Sequence, residues 1–397
     1  MVTSEVSPYA KSGGLADAVA SLAKALKKSG VDVRIVLPRY YSVDRLKLES
    51  VPGPLGVPMG NGEEWCSIYE STLPQTDIPV YFVEHEGFFG RDGIYGDKTV
   101  TDFPDNPKRF AFFSRAAFQL CRKLMWIPDI MHAHDWPSSM VPVYRNLLEH
   151  RSEFAGTKTV LTIHNLGYQG IFDKSVFPFF GLPWEAYHGS GLEYFGSINL
   201  LQAGISNAGK ITAVSPTYAR EIQTSSLGCT LDGLLRYRSA DLVGILNGVD
   251  YDEWNPETDV YIPAHYRMDD LAGKQFCKRE LQKEFSLEQN PDIPVIGMVS
   301  RLTDQKGIGD LFGPMYGAAW HICAKMEVQF AVVGSGDKWC EQELTSLSGR
   351  LANFKAKIGY SEKLAHLIEA GSDFFMMPSK YERSEEHTSE LQSPNTI

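Results

Sequence analysis

The fold is decided by the stretch Leu15–Pro38, which reads LADAVASLAKALKKSGVDVRIVLP. Its first half predicts an amphipathic helix over Leu15–Ser29, because apolar residues recur at helical spacing and Gly30 ends the pattern. The apolar residues at this spacing are Leu15, Val19, Leu22 and Leu26. Its second half, Val31–Leu37, is a short run rich in β-branched residues that Pro38 closes, which predicts a strand.

The rest of the chain repeats this alternation of strand and helix. Further strands are predicted at Ile127–Met131, Thr159–Ile163, Lys210–Val214, Leu242–Leu246, Val295–Val299, Val328–Val333, Phe354–Ile358 and Asp373–Met377. Such alternation is typical of parallel sheets with helices on both faces, so the predicted fold class is α/β. In such sheets, ligands bind at the carboxyl ends of the strands.

The length of 397 residues exceeds one ordinary domain, so we expect two. The first spans residues 1–248. A connection over 249–290 includes a predicted helix at Leu271–Glu284, and a second, incomplete domain covers 291–382. The last segment, 383–397, breaks the pattern and is similar to a translated sequencing-library adapter, so we exclude it from the fold.

Composition and charge narrow the class of function. The net charge is −11, and an acidic surface argues against nucleic-acid and anionic-membrane partners. The cysteines form no C-x-x-C pair, which argues against a zinc or redox motif. No signal peptide is visible, and no apolar run approaches the ~18 residues of a membrane helix. The first strand offers only Met1 and Val2, so we expect a few residues to be missing before it.

The turn Lys11-Ser12-Gly13-Gly14 lies between the first strand and the first helix. Gly-Gly permits close approach of a ligand to the backbone, and N–H groups at a helix start attract phosphate. The alternative is a flexible turn with a solvated lysine. No G-x-G-x-x-G or Walker motif is present, which argues against NAD enzymes and P-loop ATPases.

Polar residues follow two further strands. His132–Trp136 comes after the strand predicted to end at Met131. The spacing of His132 and His134 fits either two metal ligands or two members of a hydrogen-bonded core. The interpretation without a metal is favoured. Asp135 is a candidate acceptor for a sugar hydroxyl.

The next strand ends in Thr162-Ile163-His164-Asn165. A lone histidine is more often structural than catalytic. Several polar strand ends on one sheet edge shift that balance toward a functional His164, because ligands bind at this edge.

The second domain opens with Ser300–Leu302 and Gln305–Gly307. Arg301 and Lys306 straddle a strand-to-helix loop from which both side chains can reach a diphosphate, the arginine as a planar fork and the lysine as a mobile charge. The alternative is a surface salt-bridge pair. The loop Gly334–Asp337 after another strand is a second place for close approach of a ligand.

Taken together, these motifs resemble the bacterial glycogen synthase and plant starch synthase family over residues 1–382. The matching segments are Lys11–Asp17, His132–Trp136, Thr162–Gly170, Thr212–Ala219, Leu231–Leu235, Gly244–Asp250 and Ser300–Gly307. The family usually has Thr in place of Ser12.

The resemblance implies the GT-B fold, in which two Rossmann-like domains face each other across a cleft. Residues 1–248 would form the acceptor-side domain and 291–382 part of the nucleotide-sugar domain. The implied reaction is retaining transfer of glucose from ADP-glucose to the 4-hydroxyl of an α-1,4-glucan end, without cofactor or metal. The implied location is the bacterial cytoplasm.

The resemblance also assigns site residues. Those implied to bind ADP-glucose are Lys11, Gly13, Gly14, Arg301 and Lys306. Asp135 and His164 are implied to position the donor glucose and the incoming hydroxyl. Glu382 matches a donor-site glutamate that opens a Glu-Pro-Cys-Gly-Leu motif, but Arg383 follows it here, so we expect little transferase activity from the chain as written.

Two other functions stay open on the residues alone. Non-hydrolysing nucleotide-sugar epimerases share the two-domain architecture, and a binding module would hold glucan without turnover. The Arg301–Lys306 loop and the Lys11–Gly14 turn favour the transferase. The preference for ADP-glucose over UDP-glucose rests on the resemblance.

Overall fold

The structure is a computed structural model that describes residues 1–97, 99–313, 317–359 and 361–379. The chain divides into two compact units, Met1–Gly248 and a second that begins at Val249. Each unit has its own parallel sheet with helices packed on it.

The first unit contains eight α-helices and eleven strands among its described residues. The helices are α1 (Gly14–Lys28), α2 (Glu86–Phe89), α3 (Asn106–Lys123), α4 (Met140–Leu147), α5 (Ala186–Gly189), α6 (Leu200–Asn207), α7 (Pro216–Glu221) and α8 (Asp232–Tyr237). The strands are β1 (Ile35–Pro38), β2 (Glu49–Met59), β3 (Gly62–Thr72), β4 (Pro79–Glu84), β5 (Ile130–His134), β6 (Lys158–Ile163), β7 (Ile171–Asp173), β8 (Glu193–Tyr194), β9 (Ser197–Asn199), β10 (Lys210–Ala213) and β11 (Leu242–Gly244).

The central sheet of this unit is joined at Val2. One half has the order β11-β10-β6-β5 and the other β1-β4-β3-β2. Val2 makes parallel bridges to Ala133 in β5 and to Val36 in β1, so it links the two halves. Its N–H donates to the His132 carbonyl at 2.7 Å, and the Val36 N–H donates to the Met1 carbonyl at 2.9 Å. The start of the chain therefore lies in the middle of the sheet.

Each strand predicted in the first unit has somewhat different bounds in the structure, and two of them differ by three residues or more at one end. The strand predicted at Val31–Leu37 is ordered as β1 only from Ile35, because its partner β4 pairs with Ile35–Pro38. The strand predicted at Ile127–Met131 begins at Ile130 and runs on through His134, paired with β6. Pro128 lacks the N–H that a ladder needs, which explains the later start.

The antiparallel hairpin β2–β3 was not predicted from the sequence. It pairs with β4 and forms the edge of the sheet. The first unit is thus a parallel sheet with an antiparallel edge. A small separate sheet has the order β7-β9-β8.

The second unit is built from four parallel strands, β12 (Val295–Val299), β13 (Gln329–Gly334), β14 (Phe354–Ile358) and β15 (Phe374–Phe375). Their order in the sheet is β14-β13-β12-β15. Its helices within the described ranges are α9 (Ala272–Glu284), α10 (Ile308–Phe312), α11 (Ala318–Lys325), α12 (Lys338–Arg350) and α13 (Glu362–Gly371). The predicted strands at Val295–Val299 and Phe354–Ile358 are found with the same bounds, whereas the strand predicted at Asp373–Met377 is shorter.

Residues of β13 alternate between two apolar layers. Phe330 and Val332 pack with residues of α10 and α12, while Ala331 and Val333 pack with residues of α9 and α13. Because successive side chains of a strand point to opposite faces, this sheet is covered by helices on both sides. The expected α/β class is confirmed. None of the helices in the described ranges is both long and apolar enough to cross a membrane.

Candidate active site

Asp135 opens the loop after β5 in a backbone conformation that residues other than glycine rarely adopt. Its φ is 54° and its ψ is −172°, a region whose occupation costs about 1–3 kcal/mol. Its N–H donates to the Thr162 carbonyl at 2.9 Å, and the Ser139 hydroxyl donates to its carbonyl at 2.9 Å. Residues with a strained backbone are found most often at functional sites, where the fold holds a side chain in place. Asp135 is therefore the leading candidate in the first unit.

The Asp135 carboxylate holds the loop that follows β6. Its Oδ1 accepts the backbone N–H groups of His164 at 2.8 Å and of Asn165 at 3.1 Å. Asp135 and His164 are both buried. The structure brings these two predicted site residues together, because β5 and β6 are parallel neighbours whose carboxyl ends meet.

Three histidine rings lie in contact behind this loop. The rings of His132 and His134 stack with centroids 4.2 Å apart, and His134 Nδ1 lies 3.1 Å from His164 Nε2. His132 Nε2 lies 2.6 Å from the Thr162 hydroxyl. Burial lowers the pKa of His132 to about 3 and holds the pKa of His134 well below its usual value. Both rings are neutral at physiological pH, and of the two alternatives the contacts favour a hydrogen-bonded core.

The Lys11–Gly14 turn presents a cation and an open backbone. Lys11 Nζ pairs with Asp17 Oδ2 at 2.7 Å, and about a third of each side chain is exposed. A Cβ built on Gly13 would meet no atom within 4 Å, so a ligand can approach the backbone there. Gly14 is the first residue of α1. Because Val2 pairs with β5, this turn and Asp135 lie at the same edge of the sheet.

Glu5 supports this turn from inside, and the sequence analysis missed it. Its carboxylate accepts the backbone N–H of Ser12, the Ser12 hydroxyl at 2.8 Å and the Tyr95 hydroxyl at 2.7 Å. Burial raises the pKa of Glu5, while these hydrogen bonds oppose the rise. The available signal was a carboxylate directly after the first strand, the criterion that singled out Asp135.

In the second unit, Arg301 and Lys306 follow β12. Arg301 Nε is buried and has no hydrogen-bond partner among the residues that the structure describes. Lys306 is only 2% exposed and ends a 3-10 turn, Asp304–Lys306. Lysines are almost never fully buried unless paired. This burial argues against the alternative of a solvated surface pair.

Three strand-end loops converge around these residues. The Leu302 N–H donates to the Ser335 carbonyl at 2.9 Å, which joins the loops after β12 and β13. A Cβ on Gly336 would lie 2.3 Å from the Leu302 carbonyl oxygen, and one on Gly307, whose φ is 72°, would lie 2.2 Å from the Pro378 carbonyl oxygen after β15. Glycine is required at both positions. The predicted loop Gly334–Asp337 is therefore part of the same edge as Arg301.

The structure places the predicted site residues in two groups. Asp135, His164 and the Lys11–Gly14 turn share one sheet edge in the first unit, while Arg301 and Lys306 share one loop in the second. Glu382 lies outside the described residues, so its predicted role stays a prediction.

Comparison with known proteins identifies the family. The sequence family described as the starch synthase catalytic domain matches residues 1–237 of this chain. A glycogen synthase of Treponema denticola is 52% identical over 96% of this chain and 78% of its own length. Glycogen synthase 1 of Geobacter metallireducens is 45% identical over 96% of this chain and 76% of its own length.

A solved structure agrees with these matches. The catalytic domain of starch synthase IV from Arabidopsis thaliana, bound to ADP and acarbose, superposes with a TM-score of 0.86 and 30% identity. The match covers 96% of this chain and 78% of that one. The likeness confirms the GT-B fold class and disfavours the epimerase and binding-module alternatives. This chain belongs to the starch synthase catalytic domain family, the glycosyltransferases that transfer glucosyl units in the synthesis of glycogen and starch.

Proposed function

We propose that the donor is ADP-glucose and that glucose passes to the non-reducing 4-hydroxyl of an α-1,4-glucan with retention of configuration. The observation that carries this proposal is the match to a starch synthase solved with ADP and acarbose, an oligosaccharide analogue. The two substrates would be handled by different parts of the chain. Residues 1–248 are proposed as the acceptor-side domain, 249–290 as the connection and 291–382 as part of the nucleotide-sugar domain.

The diphosphate is proposed to bind the cations at the strand ends. Arg301 offers a buried Nε with no partner in the described part of the chain, and Lys306, five residues later, is itself buried. Desolvated cations bind phosphate more strongly than solvated ones, because the local dielectric is low. Lys11 and the backbone of Gly13 and Gly14 are proposed to add contacts from the first unit.

The sugar is proposed to be positioned by Asp135 and His164, with Glu382 as a donor-site residue. Asp135 fixes the backbone of His164 through its carboxylate, so the two act as one rigid group. Neutral imidazoles suit hydroxyl recognition, since each ring both donates and accepts a hydrogen bond. The neutral state of the neighbouring His132 and His134 follows from their lowered pKa values.

The proposed chemistry uses charge stabilisation in place of a separate general base. Cleavage of the glucose–phosphate bond builds negative charge on the departing ADP, and fixed cations stabilise that charge in the transition state. Loss of one such preorganised group typically lowers the rate about 10²–10³-fold. A phosphate oxygen of the leaving group takes the proton of the attacking hydroxyl on the same face, which preserves the configuration.

The donor is tested by direct comparison of nucleotides and products. Calorimetric titration with ADP and UDP measures binding, and radiolabelled ADP-glucose or UDP-glucose with maltoheptaose measures chain extension. We expect tighter binding of ADP and extended α-1,4-glucan from ADP-glucose. Equal binding of both nucleotides, or an epimerised sugar nucleotide as the product, would contradict the proposal.

We also propose that this 397-residue chain transfers glucose slowly, because Arg383 stands where the family motif has proline after Glu382. Incorporation of glucose from ADP-glucose into glycogen is measured beside the Treponema denticola relative under the same conditions. We expect a rate lower by about 100-fold or more, the loss typical of removing one preorganised transition-state contact. A rate comparable to that of the relative would refute this part.

A further inference from the structure

We propose that the second unit binds a divalent transition-metal ion, with zinc as the best fit, through Glu253, Glu362 and His366. The donor atoms of these three side chains lie within 4.8 Å of one another, and no other described group of three or more His, Cys, Asp or Glu residues meets this criterion. None of the three has a role in the glucosyl transfer proposed above. The site is therefore separate from the proposed transfer site.

His366 has the surroundings of a metal-binding histidine. It is 2% exposed, and its Nδ1 lies 2.7 Å from Asp259 Oδ2. Its Nε2 is buried and has no hydrogen-bond partner among the described residues. When Nδ1–H donates to a carboxylate, the tautomer is fixed and the Nε2 lone pair is left for a ligand, an arrangement that recurs in metal sites.

The imidazole ring of His366 is also held in one orientation. Trp254 stacks on it with centroids 4.0 Å apart and an interplanar angle of 7°, and the Tyr261 ring lies 4.8 Å away at 54°. A ring locked by packing loses little further freedom when it binds an ion. Preorganisation of this kind increases affinity.

The two carboxylates reach the histidine from different segments. Glu362 and His366 are four residues apart on α13, so their side chains lie on the same helix face. Glu253 comes from the turn that begins the second unit and is half-buried, while Glu362 is exposed. Ligands of a tetrahedral zinc lie about 3.3 Å apart, so modest rotation of the exposed Glu362 side chain brings the three donor atoms to that spacing.

The donor set selects the class of metal. One imidazole nitrogen with two carboxylates suits zinc or manganese, whereas calcium and magnesium prefer oxygen donors throughout. The bound ion would join the segment that carries Glu253 to α13, next to the Asp259–His366 contact. The competing explanation is that the hydrogen bond between His366 and Asp259 serves packing alone, with no metal.

The test uses the whole chain, freed of metal with a chelator and returned to chelator-free buffer. Zinc content is measured by mass spectrometry after addition of zinc chloride and gel filtration, and affinity by calorimetric titration with zinc, manganese, calcium and magnesium chlorides. We expect one zinc ion per chain and a rise in the melting temperature on zinc addition. Absence of retained zinc, or preference for calcium or magnesium, would overturn the proposal.

Variants distinguish this site from adventitious zinc binding. His366→Gln removes the nitrogen ligand, and Glu362→Gln removes a carboxylate that is exposed, so the second variant folds even if the first does not. We expect Glu362→Gln to weaken zinc binding by about ten-fold or more. Glu257→Gln, an exposed position on the same segment and outside the group, is the control. Equal zinc affinity in Glu362→Gln and Glu257→Gln would show that the ion binds elsewhere.

Discussion

The backbone N–H of His164 donates to the carboxylate of Asp135 at 2.8 Å, across the ends of two parallel strands. This contact joins two residues that lie far apart in the sequence and that the family resemblance assigns to the same substrate. It also means that Asp135 has a structural task besides its proposed role toward sugar. The two tasks are separable by substitution.

Replacement of Asp135 by alanine leaves the N–H groups of His164 and Asn165 without their acceptor. An unsatisfied buried donor costs about 1–3 kcal/mol, so we expect Asp135→Ala to lower the free energy of unfolding by that amount in urea denaturation. Asp135→Asn keeps an acceptor oxygen at the same place, and we expect a much smaller loss. Equal losses in the two variants would argue against the hydrogen bonds as the cause.

The cations of the second unit are predicted to dominate nucleotide affinity. We expect Arg301→Gln and Lys306→Met each to weaken ADP binding by about 10–100-fold, since a hydrogen bond to a charged group contributes about 1.5–3 kcal/mol. Calorimetric titration measures the effect. Lys325→Met, which removes an exposed lysine in the same unit, is the matched control. An unchanged ADP affinity in both test variants would exclude this loop from the site.

Lys11 and Arg301 are predicted to act on the same diphosphate, although they belong to different units. A double-mutant cycle with Lys11→Met and Arg301→Gln tests this, with ADP affinity as the readout. We expect a coupling energy of at least about 0.5 kcal/mol, which separates interacting from independent sites. Strict additivity of the two losses would mean that the side chains do not share a ligand. Lys174→Met, at an exposed position of the first unit, controls for the loss of charge.

The buried histidines predict a pH dependence of stability. His132 has a pKa of about 3 when folded, against the ordinary histidine value of 6.5. Between these values the unfolded chain binds more protons, so stability falls as the pH is lowered from 6.5 toward 3. We expect a loss of at most about 2 kcal/mol per histidine between pH 6.5 and 5.

Urea denaturation at several pH values checks this slope. His132→Gln is expected to lose less stability on acidification than the wild type, because one neutral buried imidazole is gone. His150→Gln, at an exposed position in the same unit, is expected to keep the wild-type slope. A slope that is identical in all three proteins would contradict the assignment.

Much of the architecture was predictable from local pattern. The apolar run Val295–Val299 and the alternating segment Phe354–Ile358 are bounded by turn residues and match their strands residue for residue. The helix predicted over Leu15–Ser29 is α1 within one residue at each end. The predicted bounds of a strand were wrong where pairing with a neighbour sets them, as in β1. A strand exists only where a neighbouring strand offers hydrogen-bond partners.

The site was less predictable, because it depends on contacts between distant residues. Motif position indicated Asp135 and His164, but not that the carboxylate of one binds the backbone of the other. Glu5 escaped notice because its partner Tyr95 lies in a loop without a recognisable pattern. The stacking of Trp254 on His366 likewise joins segments that sequence periodicity leaves unrelated.

The place of Val2 between Val36 and Ala133 has a consequence for biosynthesis. During translation the first residues leave the ribosome long before Ala133 does, so the middle of this sheet stays open on one side while more than a hundred further residues are added. The nascent segment therefore depends on late contacts of high sequence separation, which are slow to form.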